Sequence, residues 1–247
     1  MLRENKMKFT LNAYSELVKL IKDKGYNICN YNECIQYDKF VILRHDVDFE
    51  PEKAVEMAET ELDLGVKSIY FFLISSDFYN VLSARNQRCI KRILECGHEI
   101  GLHFDETKYK ECGLEELRTA IFEEIRMLEA MTGVRIKAVS MHRPSKLILE
   151  SDLKLGMITN TYGKEMFKEI KYLSDARMNW REDVCKIIRE EEFDKIQLLT
   201  HAFWYENEET VIEERLKRFV MQAKDERYEE LKDNLRDLES VLKKEDI

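Results

Sequence analysis

The alternation of short apolar runs with amphipathic stretches is the feature that most constrains how this 247-residue chain can fold. Apolar runs at residues 40–45 and 68–74 are typical of buried strands, and helix-like stretches follow them and end at glycines such as Gly65 and Gly97. A chain that alternates strands and helices forms a parallel sheet with crossover helices. We therefore predict an α/β fold with a barrel-like sheet.

The remaining elements follow the same pattern. Further strands are predicted at residues 99–103, 136–141, 157–161, 172–173 and 195–200, and helices at 12–24, 85–96 and 114–131. We predict a barrel domain over residues 1–207. Residues 208–247 hold one long helix to about Lys244, because Tyr228 and a series of leucines recur every three or four residues. This helix either packs on the barrel or forms a homodimer contact.

Composition excludes several classes of protein. The 40 Lys and Arg against 49 Asp and Glu give a net charge of -9, which argues against nucleic acid bound over a broad face. No apolar run reaches the roughly 18 residues of a membrane span. The first six residues contain no apolar signal region, so we expect a cytoplasmic protein. Its six cysteines form no CxxC pair and are expected to be reduced thiols.

The histidines point to one polar site. The chain has 5 of them, each at or next to an end of a predicted strand: His45, His98, His103, His142 and His201. In parallel α/β folds the carboxyl ends of strands are where functional sites are assembled. Polar residues at several strand ends therefore predict a shared catalytic site, although each of them alone fits an ordinary turn or core position.

The segment from Arg44 to Asp48 is the most informative. Side chains alternate along a strand, so Arg44, Asp46 and Asp48 share one face. The two carboxylates are then roughly 6–7 Å apart along the backbone, a separation that suits a metal ligand and a base. A solvated strand end or a helix cap would explain them equally well. We expect Arg44 to pair with Glu99 inside the barrel.

The segment from His98 to His103 is superficially similar to the HExxH helix of zinc proteases. Its histidines are five residues apart instead of four, and Gly97 and Gly101 disfavour a helix. We therefore predict a strand with His103 at its exposed end. A histidine at this position is either a metal ligand or a hydrogen-bonded structural residue.

Taken in order, these motifs resemble those of the polysaccharide deacetylase family, carbohydrate esterase family 4, whose members are distorted (β/α) barrels. The resemblance spans roughly residues 40–205 and implies that Asp46 is the catalytic base and Asp48 a metal ligand, as in the D-x-D form of the first motif. It implies that His103 also binds the metal and that Arg143, in the Arg-Pro motif, orients the base.

The later motifs of the family complete the implied machinery. His201, in Leu-Thr-His, resembles the general acid, and Asp175 resembles the residue that supports it. Trp180 would line the pocket, and Trp204 is a further candidate for stacking on a sugar.

One position departs from the pattern. The family has a second metal-binding histidine four residues after the first, and Thr107 stands there in this chain. Catalytic zinc is usually held by three protein ligands. His142 is therefore our candidate for the third ligand, and Asp105 is the reserve.

The resemblance implies a metal-dependent hydrolase that uses Zn²⁺ or a similar divalent ion to remove an acetyl or formyl group from an amino sugar. The substrate would be an acylated amino sugar or a glycan precursor used in surface polysaccharide biosynthesis. The alternative is a barrel that lost a metal ligand and now binds a saccharide or scaffolds other enzymes. Thr107 is the residue that favours this alternative.

Overall fold

The computed structural model describes residues 7–247, which form two compact units, the first ending at Asn207 and the second spanning Glu208–Ile247. The first six residues, on which the expectation of a cytoplasmic protein partly rested, lie outside the described residues. Over residues 7–247, no helix has both the length and the apolar character needed to cross a lipid bilayer. The six cysteines all fall in this range and are free thiols.

The first unit is built on a parallel sheet of eight strands. In chain order they are β1 (Asn27–Ile28), β2 (Phe40–Val47), β3 (Ile69–Leu73), β4 (Glu99–Phe104), β5 (Ala138–Met141), β6 (Thr159–Asn160), β7 (Lys171–Ser174) and β8 (Lys195–Thr200). Their spatial order is β6-β5-β4-β3-β2-β8-β7, with β1 added beside β2. The sheet curls into a half-barrel surrounded by helices, which confirms the distorted (β/α) barrel.

The helices connect these strands as crossovers, most of them where the sequence predicts them. They are α1 (Leu11–Asp23), α2 (Pro51–Asp63), α3 (Ala84–Glu95), α4 (Leu114–Thr132), α5 (Lys146–Ser151) and α6 (Val184–Glu190). The short helices α5 and α6 were not predicted, because fewer than two turns give no clear periodicity. Both begin at side-chain caps, since Ser145 and Asp183 each accept a hydrogen bond from the backbone N–H three residues on.

The interior of the half-barrel contains a buried arginine. Arg44, which is 0% exposed, lies with its guanidinium 5.1 Å from the ring of Phe71. Gly101 on β4 makes room for that ring, because a side chain there would overlap Phe71. A glycine inside a strand is thus required by close packing and not by a turn.

The second unit differs from the single helix predicted to Lys244. Helix α7 (Ile212–Asn234) ends ten residues earlier, where Leu235 adopts an extended conformation, and a short helix α8 (Leu238–Val241) follows. The chain folds back, and the Tyr228 hydroxyl donates to the carbonyl of Leu242 at 3.0 Å. Asn and Asp around the break have low helix propensity, which overrides the leucine spacing. The packing of this unit on the barrel or in a dimer stays a prediction.

Candidate metal and acid–base site

Three side chains at the carboxyl ends of β2, β4 and β5 form a compact triad of possible metal ligands. Asp48 Oδ1 lies 3.1 Å from His103 Nε2 and 3.2 Å from His142 Nδ1, and the two ring nitrogens are 3.0 Å apart. Each residue offers one ligand atom to a common point, and these atoms all lie within 4.8 Å of one another. The parallel register of the three strands brings the residues to the same edge of the sheet.

The donor set fits a divalent cation such as zinc. A tetrahedral ion with bonds of about 2.0–2.1 Å has ligand atoms about 3.3 Å apart, close to the separations in this triad. Asp48 Oδ1 is buried without a hydrogen-bond partner, an arrangement that a cation would satisfy. The Nδ1 atom of His103 lies 3.2 Å from the carbonyl oxygen of Ser140 and donates to it, which leaves Nε2 to face the triad.

Neither Thr107 nor Asp105 joins the triad. Asp105 caps a short 3-10 helix, and its Oδ1 accepts hydrogen bonds from the backbone N–H and hydroxyl of Thr107 at 3.0 and 2.8 Å. Those two bonds are part of what holds the pKa of Asp105 below its usual value despite partial burial, which alone would raise it. His142 is therefore the third member of the triad of possible ligands, and Asp105 lies outside it.

Asp46 lies beside the triad and is held by a buried arginine from its own strand. Arg44 donates through Nη2 to both oxygens of Asp46 at 2.9 and 2.8 Å, and the Ser140 hydroxyl donates to Oδ2 at 3.1 Å. Burial alone would raise the pKa of Asp46, but Arg44, followed by His103 and His201, lowers it. Asp46 is therefore an ionised, oriented carboxylate.

Two expectations about arginines are wrong. Arg143 does not contact Asp46: its guanidinium is 69% exposed and lies 3.6 Å from Asp105. Arg44 does not pair with Glu99, which instead bonds Lys137 at 2.9 Å and the side chain of Asn30. The sequence contained the signal for the observed contact, since strand alternation places Arg44 and Asp46 on one face.

His201, at the end of β8, lies on the other side of Asp48. Its Nδ1–H donates to Asp175 Oδ1 at 2.6 Å, and its backbone N–H also donates to this carboxylate. Burial alone would lower the pKa of His201, but Asp175, followed by Asp48 and Asp46, raises it to about 9. Its Nε2 is 3.8 Å from Asp48 Oδ2, so a protonated imidazole faces the triad.

The two tryptophans proposed to contact a sugar are buried. Trp180 is 2% and Trp204 6% exposed, so both are held within the barrel wall and offer little surface to a ligand. The aromatic surface at this edge comes from Phe78, which is 57% exposed and packs 4.8 Å from Phe49, the residue after Asp48. No periodicity or motif singles out Phe78, because it lies in an irregular loop.

Only three of the five histidines reach this site. His45 points to the outer face of the sheet, and His98 lies before β4, at the opposite end of that strand. Both are buried, at 1% and 3% exposure, and hydrogen-bonded to protein groups. The expectation that each histidine marks the functional edge is therefore wrong for these two.

No family model matches the chain, and no curated protein matches it. Among solved structures, the chain is similar to a pseudoenzyme of carbohydrate esterase family 4 from Bacillus anthracis (18% identity, 76% of this chain and 62% of that chain, TM-score 0.45). It is also similar to a family 4 carbohydrate esterase from Streptomyces lividans (12%, 67% and 80%, TM-score 0.46). A third is a peptidoglycan deacetylase from Bacillus subtilis (15%, 78% and 97%, TM-score 0.40).

The match spans less than two thirds of the pseudoenzyme's own length. The family that the ordered motifs resemble is also the one described for the first two of these structures. The chain resembles a divergent member of the polysaccharide deacetylases, carbohydrate esterase family 4.

Proposed function

We propose that this protein is a metal-dependent hydrolase that removes an N-acyl group, acetyl or formyl, from an amino sugar. One observation carries the proposal: a metal-sized triad lies between an ionised carboxylate, Asp46, and a protonated imidazole, His201. Amide hydrolysis needs these functions together, since water must lose a proton and the amine must gain one.

Asp48, His103 and His142 would hold the metal ion. When bound, a divalent cation such as Zn²⁺ supplies Lewis-acid chemistry that activates water and polarises the acyl carbonyl. The carbonyl of Ser140 fixes the ring of His103 in the orientation that this role requires.

Asp46 would accept the proton of the attacking water. Arg44 and Ser140 occupy the inner side of its carboxylate and fix its plane, and His103 Nε2 lies 3.8 Å from Oδ2. Because the pKa of Asp46 is lowered, the carboxylate is in its basic form at neutral pH. A positioned base of this kind accelerates proton transfer by about 10²–10⁴.

His201 would protonate the departing amine. Asp175 is 0% exposed and accepts both the ring N–H and the backbone N–H of His201, which fixes the tautomer and directs Nε2 towards the cavity. With its pKa raised to about 9, His201 carries the proton needed for this step at neutral pH.

The proposed substrate is an acylated amino sugar or glycan precursor of surface polysaccharide synthesis in the cytoplasm. Phe49 and Phe78 support a ring-shaped ligand, because they present an exposed aromatic surface next to Asp48. The net charge of -9 argues against nucleic acid as the partner.

Metal analysis combined with a screen of N-acylated amino sugars for release of acetate or formate tests the proposal. Asp48→Ala is expected to lose both metal and activity, whereas Asp46→Asn keeps the metal and loses turnover. Asp77→Ala, at an exposed carboxylate outside the triad, is the matched control and keeps both. Equal metal content in wild type and Asp48→Ala would refute the ligand assignment. A metal-loaded protein that binds a saccharide without releasing acid would support the non-hydrolytic barrel instead.

A further inference from the structure

The two histidines outside the site belong to a buried polar cluster centred on Glu61 of α2, which is 0% exposed. Each of its carboxylate oxygens accepts two hydrogen bonds. Tyr14 and His45 Nε2 donate to Oε1 at 2.5 and 2.9 Å, and Ser68 and Tyr70 donate to Oε2 at 2.5 and 2.7 Å. An ionised carboxylate only accepts hydrogen bonds, so the cluster is fully satisfied.

His45 connects this cluster to the strand that carries His201. Its Nδ1 lies 2.6 Å from the hydroxyl oxygen of Thr200, the last residue of β8. His45 and Thr200 are also backbone partners, and they form the final pair in the register between β2 and β8. The side-chain hydrogen bond therefore joins β2 and β8 at the last residue pair of their backbone register.

The residues that follow this pair on the two strands carry the acid–base groups. Asp46 and Asp48 follow His45 on β2, and His201 follows Thr200 on β8, with His201 Nε2 and Asp48 Oδ2 3.8 Å apart. The His45–Thr200 pair is the last in the register of β2 with β8, so it is the pairing between these two strands that lies nearest to the acid–base side chains. A displacement of about 1 Å in such a site can cost about 10² in rate.

We propose that His45 and Thr200 are positioning residues whose hydrogen bond, anchored by Glu61, sets the spacing between the groups of β2 and His201. The proposal rests on the proposed function, which it deepens. The hydrogen bond between His45 and Thr200 lies directly before Asp46 on one strand and His201 on the other, and this position is what indicates control of their geometry.

The test compares two substitutions in the same cluster. Thr200→Val keeps the shape of residue 200 and removes the hydroxyl that His45 contacts, and Thr200→Ser restores it. Tyr14→Phe is the matched control, because it removes one donor to Glu61 and leaves both the Thr200 hydroxyl and the His45 ring in place. We expect Thr200→Val to lower kcat by about 10- to 100-fold with unchanged KM and metal content, while Tyr14→Phe and Thr200→Ser stay within about threefold. Equal losses of kcat in Thr200→Val and Tyr14→Phe, or no loss in Thr200→Val, would overturn the proposal.

A second measurement does not depend on activity. The backbone amide signals of Asp46 and Asp48 in a ¹H–¹⁵N NMR spectrum report the end of β2. We expect Thr200→Val to shift both signals and Tyr14→Phe to leave them in place. Unshifted signals in Thr200→Val would overturn the positioning role even if no substrate is hydrolysed, whereas shifted signals without any hydrolysis in wild type would contradict only the proposed function.

Discussion

Replacement of Arg44 by methionine tests which arginine orients the base. The Arg44 guanidinium is wholly buried and bonds Asp46 at 2.9 and 2.8 Å, the hydroxyl of Thr161 at 2.8 Å, and Ser140. Methionine keeps an unbranched side chain but removes every one of these hydrogen bonds. It leaves Asp46, which is 3% exposed, as a buried carboxylate without its cation.

The expected loss is large. Removal of one partner from a buried ion pair costs about 3–5 kcal/mol in free energy of unfolding. In a chain of this size that corresponds to a melting temperature about 6–20 °C lower. Arg143→Met, at a guanidinium that is 69% exposed and 3.6 Å from its partner, is the control and should cost about 0–1 kcal/mol.

The pH dependence of stability gives a second test of the same substitution. Removal of Arg44 takes away the largest of the effects that lower the pKa of Asp46 against burial, so this carboxyl is expected to take up a proton at higher pH in folded Arg44→Met than in the wild type. The loss in free energy of unfolding of Arg44→Met relative to the wild type should therefore be smaller at pH 5 than at pH 8. Urea unfolding of both variants at these two pH values measures the effect, and turnover of the metal-loaded proteins should fall by about 10²–10⁴ only for Arg44→Met. A larger loss in Arg143→Met than in Arg44→Met would refute the assignment.

Two further predictions concern other groups. The pKa of Glu61 is lowered to about 2, because His45, followed by His98 and Ser68, outweighs burial. The contribution of Glu61 to stability is therefore present above about pH 4.5 and is lost as the pH falls towards 2. Glu61→Gln should therefore lower the free energy of unfolding by on the order of 3 kcal/mol at pH 7 and by little at pH 2. Urea unfolding measures both values, and an equal loss at the two pH values would contradict the lowered pKa. His142→Ala should weaken metal binding by more than about 10²-fold in a competition titration, with Asp105→Ala unchanged; the reverse order would exchange the two assignments.

Much of the barrel was predictable because its strands are short apolar runs and its longer helices are amphipathic. The triad was predictable for a related reason: parallel strands bring their carboxyl ends to one edge, so His103 and His142 had to come near Asp48. The family pattern showed that a ligand is missing at Thr107, and the predicted strand end at His142 then nominated this residue in its place.

The choice of arginine was not predictable from position alone. Arg44 lies level with Glu99 across two strands, because both register with Ile69, yet the long side chain of Arg44 reaches two residues along its own strand. The direction of a flexible side chain depends on which acceptors surround it, here Ser140 and Thr161, and these are remote in sequence. The burial of Trp180 and Trp204 was also not predictable, because it depends on side chains that pack around them from elsewhere in the sequence.

Ser140 serves both halves of the site through different atoms. Its backbone carbonyl holds His103, and its hydroxyl bonds both Asp46 and Arg44, so Ser140→Ala would remove only the hydroxyl contacts. A substitution at this one residue could thus separate the support of Asp46 from the orientation of His103. Under the proposed function, a protein that lost this hydroxyl would keep the orientation of His103 for metal binding while the base lost part of its support, which gives a short mutational path from hydrolysis to binding alone.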